Sequence, residues 1–194
     1  NQGEVVGYIG KNGAGKSTTI KMLTGILVPT QGRCMVNGLE PYLCRQRNAQ
    51  NIGVVFGQRT QLWWDLPLIE SFTVLKNIYQ VSDRDYKDRM EFIDTVLEIE
   101  DFQNIPVRAL SLGQRMRADV AAALIHNPKI LYLDEPTIGL DVLVKDKIRM
   151  AIKKLNREFK TTILLTTHDM TDIEELCKHI IIIENGKLIY NNTL

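Results

Sequence analysis

Gly10-Lys11-Asn12-Gly13-Ala14-Gly15-Lys16-Ser17-Thr18 is the stretch on which the reading of this chain turns. It fits G-x-x-x-x-G-K-[ST], the pattern of a phosphate-binding loop. Val5, Val6, Tyr8 and Ile9 read as a short buried strand entering it. Residues 18–27 read as a helix leaving it, with Ile20, Leu23, Ile26 and Leu27 available for one apolar face. Glycines let such a backbone turn with positive φ and bring its N–H groups close to an anion. The helix N-terminus adds partial positive charge where a phosphate would sit. Lys16 is placed to reach the β- and γ-phosphates of a nucleotide, and the Ser17 hydroxyl to ligate Mg²⁺. A glycine-rich turn with an incidental Lys-Ser is the bland alternative, and the strand-loop-helix setting argues against it.

Four further segments follow in order. Lys129 to Thr137 is an apolar run ending in two acids, Asp134 and Glu135. Buried parallel strands have this composition, and ligands of α/β sheets bind beyond the carboxyl ends of such strands. Asp134 is suited to hold Mg²⁺, directly or through water, and Glu135 to polarise an attacking water. Taken alone, two acids after a strand read equally well as a solvated turn. Leu110-Ser111-Leu112-Gly113-Gln114-Arg115-Met116-Arg117 precedes a helix-like run through Ala121 to Ile125. Ser111 is a natural N-cap, so its neighbourhood offers free backbone N–H groups for a second anion, although most such caps bind nothing. Val54 to Gln58 is a strand delivering a glutamine into a loop, and Thr162 to His168 a strand delivering a histidine. Each of these last two is more often structural than catalytic when it stands alone. Their weight comes from the order of the set.

That set resembles the nucleotide-binding domain of ATP-binding-cassette (ABC) proteins. Gly10 to Thr18 is similar to the family's Walker A, including Asn12, Gly13, Ala14, Gly15, Lys16, Ser17 and Thr18 as nucleotide ligands. Gln58 matches the Q-loop, Leu110 to Arg117 the signature motif, Leu131 to Glu135 the Walker B, Ile138 to Asp141 the D-loop and His168 the switch histidine. The wording of residues 55–67 and 110–114 resembles bacterial ABC-2-type and viologen-exporter-like ATP-binding subunits. Two positions depart from the family pattern. Leu112 stands where glycine is usual, which alters how closely the signature approaches a γ-phosphate. Gly57 precedes Gln58, where the glutamine usually follows the apolar strand directly. The chain also opens at Asn1, a few residues before the first strand. The family carries further β-structure there, with an aromatic that stacks on adenine, so the sequence reads as part of a longer subunit.

The resemblance implies an α/β fold: a P-loop NTPase core with a mostly parallel sheet, an inserted α-helical subdomain over residues 67–110 and a partial antiparallel β-subdomain. Residues 1–194 then form one nucleotide-binding domain. The resemblance also implies Mg²⁺-dependent ATP hydrolysis between two copies. Glu135 would be the general base, His168 the γ-phosphate contact and Gln58 the sensor near the water and Mg²⁺. Ser17, Gln58 and Asp134 would serve the metal. Ser111, Leu112, Gly113 and Gln114 would act in trans on the partner's ATP, with Asp141 in the D-loop between the copies. The implied partners are a second nucleotide-binding domain, identical or not, and an integral membrane permease. The implied place is the cytoplasmic face of the membrane, and the implied role is to power efflux. A soluble ABC ATPase of ribosomes or DNA repair is the alternative. The chain lacks the long coiled coils of chromosome-organising types and the paired cassettes and basic linkers of ribosomal ones.

Composition agrees with one domain. There are 194 residues, a formal charge of +1 and interspersed charges, so nothing calls for nucleic acid as a partner. No apolar run approaches the roughly 18–20 residues needed to span a bilayer. Cys34, Cys44 and Cys177 are scattered and lack zinc spacing. Elsewhere, residues 32–37 read as a strand closed by an Asn37-Gly38 turn. Residues 67–105 lose strand character and show amphipathic patterns around Phe72, Leu75, Ile78 and Tyr79, then Met90, Ile93, Val96 and Leu97. A long helix is expected from Val142 to about Phe159, another near residues 172–177, and a C-terminal hairpin turning at Asn185-Gly186. His126-Asn127-Pro128 reads as a helix stop. Trp63 and Trp64 read equally as packing for the helical segment or as an exposed anchor for a membrane subunit.

Overall fold

The computed structural model describes residues 2–57 and 59–194. Six strands make one sheet: β1 (Val5–Ile9), β2 (Ile52–Phe56), β3 (Ile130–Asp134), β4 (Thr162–Thr166), β5 (His179–Glu184) and β6 (Lys187–Thr193). Their order across it is β2-β3-β4-β1-β5-β6, with every pair parallel except β5 and β6. The central strands are short apolar runs such as Ile130-Leu-Tyr-Leu-Asp134, as expected where helices cover both faces. The β5–β6 hairpin turns at Asn185 and Gly186, both at positive φ, as a tight two-residue connection requires.

The register brings Asp134 of β3 opposite Thr166 of β4. β1 lies beside β4 and enters the loop at residues 10–15. The carboxyl ends of β1, β3 and β4 therefore share one edge of the sheet, where ligands of open α/β sheets bind.

Seven helices are seen among the described residues: α1 (Lys16–Leu23), α2 (Arg45–Ala49), α3 (Leu68–Ile78), α4 (Asp83–Leu97), α5 (Leu112–Leu124), α6 (Val142–Phe159) and α7 (Met170–Leu176). α6 spans the residues its periodicity indicated. α1 departs from expectation. It begins at Lys16 and stops at Leu23, because Thr24 and a left-handed Gly25 end it and the N–H groups of Ile26 and Leu27 fold back onto Lys21 O. Ile26 and Leu27 are consequently exposed. Residues 32–37 also differ. The Asn37-Gly38 turn forms, but only a single bridge joins Val36 to Leu39, so no ladder extends the pairing. The helix stop at residues 126–128 is present, with Asn127 left-handed after α5.

Residues 67–110 hold α3, α4 and two short 3-10 turns. Leu68 N donates to Ile105 O, Ile69 N to Gln103 O and Val107 N to Leu66 O, so the segment enters and leaves side by side. Phe72, Leu75, Ile93, Leu97, Phe102 and Val107 are buried in the same core as Met116 and Val120 of α5. Burying such side chains contributes roughly 1.5–3 kcal/mol each. This fixes α5 under the helical segment while leaving its first residues, Ser111 and Leu112, exposed.

Candidate active site

The loop between β1 and α1 is shaped by its glycines. Gly15, at φ 109°, is the N-cap of α1 in a conformation that side chains rarely adopt. No side chain caps this helix, so its first N–H groups face the loop. Ala14 N donates to Lys11 O at 3.0 Å, and Gly186 N from the β5–β6 turn donates to Ala14 O at 3.0 Å. Lys16 is buried and curls back over the loop. Its Nζ donates to Gly10 O at 2.5 Å and lies 3.3 Å from Lys11 O. Asn12, Gly13, Ser17 and Thr18 are exposed, and Ala14 is buried.

Across the sheet edge, Thr166 organises both acids. Its hydroxyl donates to Asp134 Oδ1 at 2.6 Å, while its Oγ1 and carbonyl oxygen each accept from Glu135 N at 3.0 Å. Glu135 itself sits at φ 56°, an unusual conformation for a residue with a side chain. Gly57 closes the other side of the turn. Gly57 N donates to Asp134 O at 2.9 Å, and a Cβ at Gly57 would fall 2.5 Å from Glu135 O. That close approach is the physical reason for a glycine directly before Gln58. Gln58, read above as a catalytic and metal-linked residue, lies outside the described residues, as does Asn1.

The left-handed turn aims Glu135 at the switch position. Glu135 Oε1 is 2.9 Å from His168 Nε2, and that same nitrogen is 3.3 Å from Lys16 Nζ. Nε2 can donate its proton to the carboxylate or, unprotonated, accept from the ammonium, but not both at once. Lys16, Glu135 and His168 thus converge from three separate segments, with Asp134 tied to Glu135 through Thr166.

The donor chemistry suits Mg²⁺. This ion prefers hard oxygens and is held through one or two carboxylates plus substrate phosphates and waters. Asp134 has one oxygen engaged by Thr166, and Ser17 presents an exposed hydroxyl. Among the described residues, no group of three or more His, Cys, Asp and Glu is placed to hold a metal ion.

A second group of sequence-identified residues stays apart. Ser111 forms a full capping box on α5: Gln114 N donates to its Oγ at 3.2 Å, and Ser111 N donates to Gln114 Oε1 at 2.9 Å. Asp141 caps α6 by accepting from Val144 N at 3.0 Å. Leu112 is 45% exposed and lies against Gly139. Ile138, Val142 and Leu143 add exposed apolar surface beside them. Among the described residues, no hydrogen bond or ion pair links residues 111–114 to Lys16, Glu135 or His168.

Trp63 and Trp64 are 38% and 48% exposed, so they do not fill the helical segment's core. The Arg115 guanidinium lies 5.1 Å from the Trp64 ring centroid. Just beside them, buried Asp119 of α5 accepts from the Thr60 hydroxyl at 2.7 Å and from Gln61 N at 3.3 Å. Burial pushes its carboxyl up to about 6, against the lowering effect of those two bonds and of Arg115.

Sequence reasoning missed Thr166, and also Thr137, Thr167, Arg149 and Asp172, which lie one layer behind the site. The available signal was Thr166-Thr167 closing the apolar run Ile163-Leu164-Leu165, since two hydroxyls at a buried strand end need partners.

No helix among the described residues is long and apolar enough to cross a membrane. Comparison with known proteins is consistent across sequence and structure. The profile of the family described as "ABC transporter" matches residues 1–138. The chain is 37% identical over 193 residues to the ABC transporter ATP-binding protein NatA of Bacillus subtilis, covering 100% of this chain and 78% of that protein. It is 35% identical over 191 residues to the bacitracin transport ATP-binding protein BcrA of Bacillus licheniformis, covering 97% of this chain and 60% of BcrA. Among solved structures, the dimeric ATP-binding cassette MJ0796, in a post-hydrolysis state with ADP and Pi, superposes with a TM-score of 0.86 at 30% identity. That match covers 100% of this chain and 87% of the other.

Proposed function

The chain belongs to the ABC transporter family, and on that premise we propose that it hydrolyses Mg²⁺-bound ATP between two copies to drive efflux through a separate membrane subunit. The convergence of Lys16, Glu135 and His168 at the phosphate-binding loop carries this reading.

The N–H groups at the start of α1 receive the phosphates, with residues 12–18 as the cradle. Lys16 leaves Gly10 O for the β- and γ-phosphates, a short swing for a flexible ammonium. Its departure frees His168 Nε2 to donate to Glu135 or to a γ-phosphate oxygen. Glu135, held by its strained turn, takes the proton of the attacking water. Asp134 and Ser17, with Gln58, would hold Mg²⁺, which neutralises charge on the phosphate oxygens. Ser111, Leu112, Gly113 and Gln114 of a second copy close over the nucleotide, and Asp141 lies at the seam. Exposed apolar residues beside them suit burial against another chain.

The membrane partner follows from the family and from BcrA, which is named for transport. A peripheral subunit on the cytoplasmic face would dock through the loop that carries Trp63 and Trp64. The outward direction rests on the resemblance of residues 55–67 and 110–114 to exporter-type subunits. The helical segment 67–110 would be the arm that carries the signature toward the partner's nucleotide.

Steady-state ATPase assays with and without Mg²⁺, paired with nucleotide titration, test the assignment. Glu135→Gln should lower turnover by roughly 10²–10⁴-fold while ATP still binds, because the base is lost but the cradle remains. Lys16→Ala should instead weaken ATP binding. Near wild-type turnover in Glu135→Gln would remove Glu135 from the role of base.

A further inference from the structure

Behind the converging side chains lies one carboxylate that touches neither of the reacting partners yet is bonded to both loops that carry them. Asp172 of α7 is fully buried. Its Oδ2 accepts from the Thr137 hydroxyl at 2.6 Å and from the Thr167 hydroxyl at 2.8 Å. Thr137 stands two residues after Glu135, and Thr167 directly precedes His168. Asp172 Oδ1 accepts from Arg149 Nε at 2.6 Å, and Arg149 is itself buried on α6, the helix that Asp141 caps. Arg149 also reaches Asp146 at 2.8 Å and Asp169 at 3.3 Å. Thr167 Oγ1 in turn accepts from Asp169 N at 3.0 Å.

We propose that Asp172 is a positioning residue: a single buried carboxylate oxygen sets the spacing between the Glu135 loop and the His168 loop, and Arg149 locks it to α6. The inference rests on the assignment of Glu135 and His168 proposed above. The physical argument is one of degrees of freedom. Glu135 and His168 lie on different strand ends, and their side chains meet at 2.9 Å near the surface, where a direct bond alone is easily broken by water. Two hydroxyl donors sharing one acceptor oxygen hold the two backbones at a fixed separation from below. The Asp172–Arg149 pair is buried, so its bonds are not exchanged for solvent, and breaking it would leave Arg149 with the more exposed carboxylates of Asp146 and Asp169. Arg149 extends the constraint to the helix that begins at the D-loop. A shift of α6 on closure against a second copy would therefore reach both catalytic loops through this node.

Replacing Asp172 itself leaves Arg149 short of a buried partner and risks the fold, so the test uses Thr137, which loses one bond at a time. Thr137→Val removes the hydroxyl but keeps the buried methyl. Thr137→Ser keeps the hydroxyl but loses the methyl. Turnover at saturating ATP, ATP affinity and melting temperature are measured on the purified subunit for both variants, with Glu135→Gln alongside. Thr137→Val should lower kcat about tenfold or more, as small misplacements of catalytic groups do. Its ATP Kd should stay within about twofold of wild type, the pattern of a lost transition-state contact. Thr137→Ser should keep near wild-type kcat although its melting temperature falls. A Thr137→Val enzyme with wild-type kcat, or kcat losses that follow melting temperature across both variants, would overturn the proposal. Failure of the underlying assignment is seen separately, in Glu135→Gln retaining its activity.

Discussion

The strand-end region and the start of α5 carry similar chemistry in opposite states. At the strand ends, Lys16, Asp134, Glu135 and His168 are bound to one another or to groups of their own chain, with Lys16 buried and Asp172 fully enclosed behind them. At the start of α5, the side chains of Ser111 and Gln114 are engaged in their own capping box, and the residues around them present Leu112, Ile138, Val142 and Leu143 to solvent. One region is preorganised by the fold. The other is a finished surface whose polar groups are already capped and whose apolar groups are not. Changes in the enclosed region should therefore be read in the stability or nucleotide binding of the single chain, and changes on the open surfaces in association and in the turnover that depends on it.

Asp119 gives the largest stability effect of this kind. It sits in the buried body of α5 and holds the loop at Thr60 and Gln61. Unfolded, its carboxyl releases its proton near the ordinary value of 3.8; folded, burial raises this to about 6. Between those values the folded state holds more protons, so its stability falls as pH rises, and the penalty is complete above about 6. A shift of this size corresponds to on the order of 3 kcal/mol at neutral pH. Asparagine still offers Oδ1 to Thr60 and Gln61 N without the charge. Asp119→Asn should thus melt higher than wild type at pH 7.5, by about 2–4 °C per kcal/mol gained. The advantage should shrink as pH drops through 6 toward 4. A pH-independent difference, or a loss at neutral pH, would mean that the clasp needs the charged carboxylate.

The double change Trp63→Ala/Trp64→Ala should give the smaller effect. Had these rings filled the core, each truncation would cost about 3–5 kcal/mol. Exposed as they are, they should together cost about 1–2 kcal/mol, most of it the Arg115–Trp64 contact. Thermal melting reads the stability, and co-sedimentation with membranes containing the permease reads the docking. Little change in melting with lost sedimentation supports the docking role; strong destabilisation would place the rings in the same class as the enclosed residues.

The same contrast governs what the sequence could show. The glycine-shaped loop between β1 and α1, the strand ends and α6 were legible because each follows from local pattern: glycine spacing, short apolar runs and a 3.6-residue period. Residues 24–27 were misassigned to α1 because the left-handed Gly25 outweighed continued hydrophobicity. Residues 32–37 lacked a strand to pair with beyond Leu39. Thr166, Thr167 and Asp172 are easily passed over for another reason. A threonine in a strand reads as an ordinary β-former, and an aspartate in the first turn of α7 as a helix-end charge. Only the packing of α6 and α7 behind the sheet turns Asp172 into a shared acceptor. The separation of Ser111 from Lys16 is likewise a property of the fold, since nothing in one dimension says whether the two motifs face the same space.

The central claim is that the catalytic site is divided between two copies, with the enclosed region of one facing the open region of the other. Mixing two inactive variants tests it most directly. Lys16→Ala disables the phosphate cradle, and Ser111→Arg blocks the α5 surface. Each alone should be nearly inactive. After equal mixing and exchange, half of the dimers pair one of each, and in those dimers one site contains neither change. ATPase activity should then return to about a quarter of the wild-type level, by the statistics of a two-fold dimer. A mixture no more active than its components would contradict the divided site.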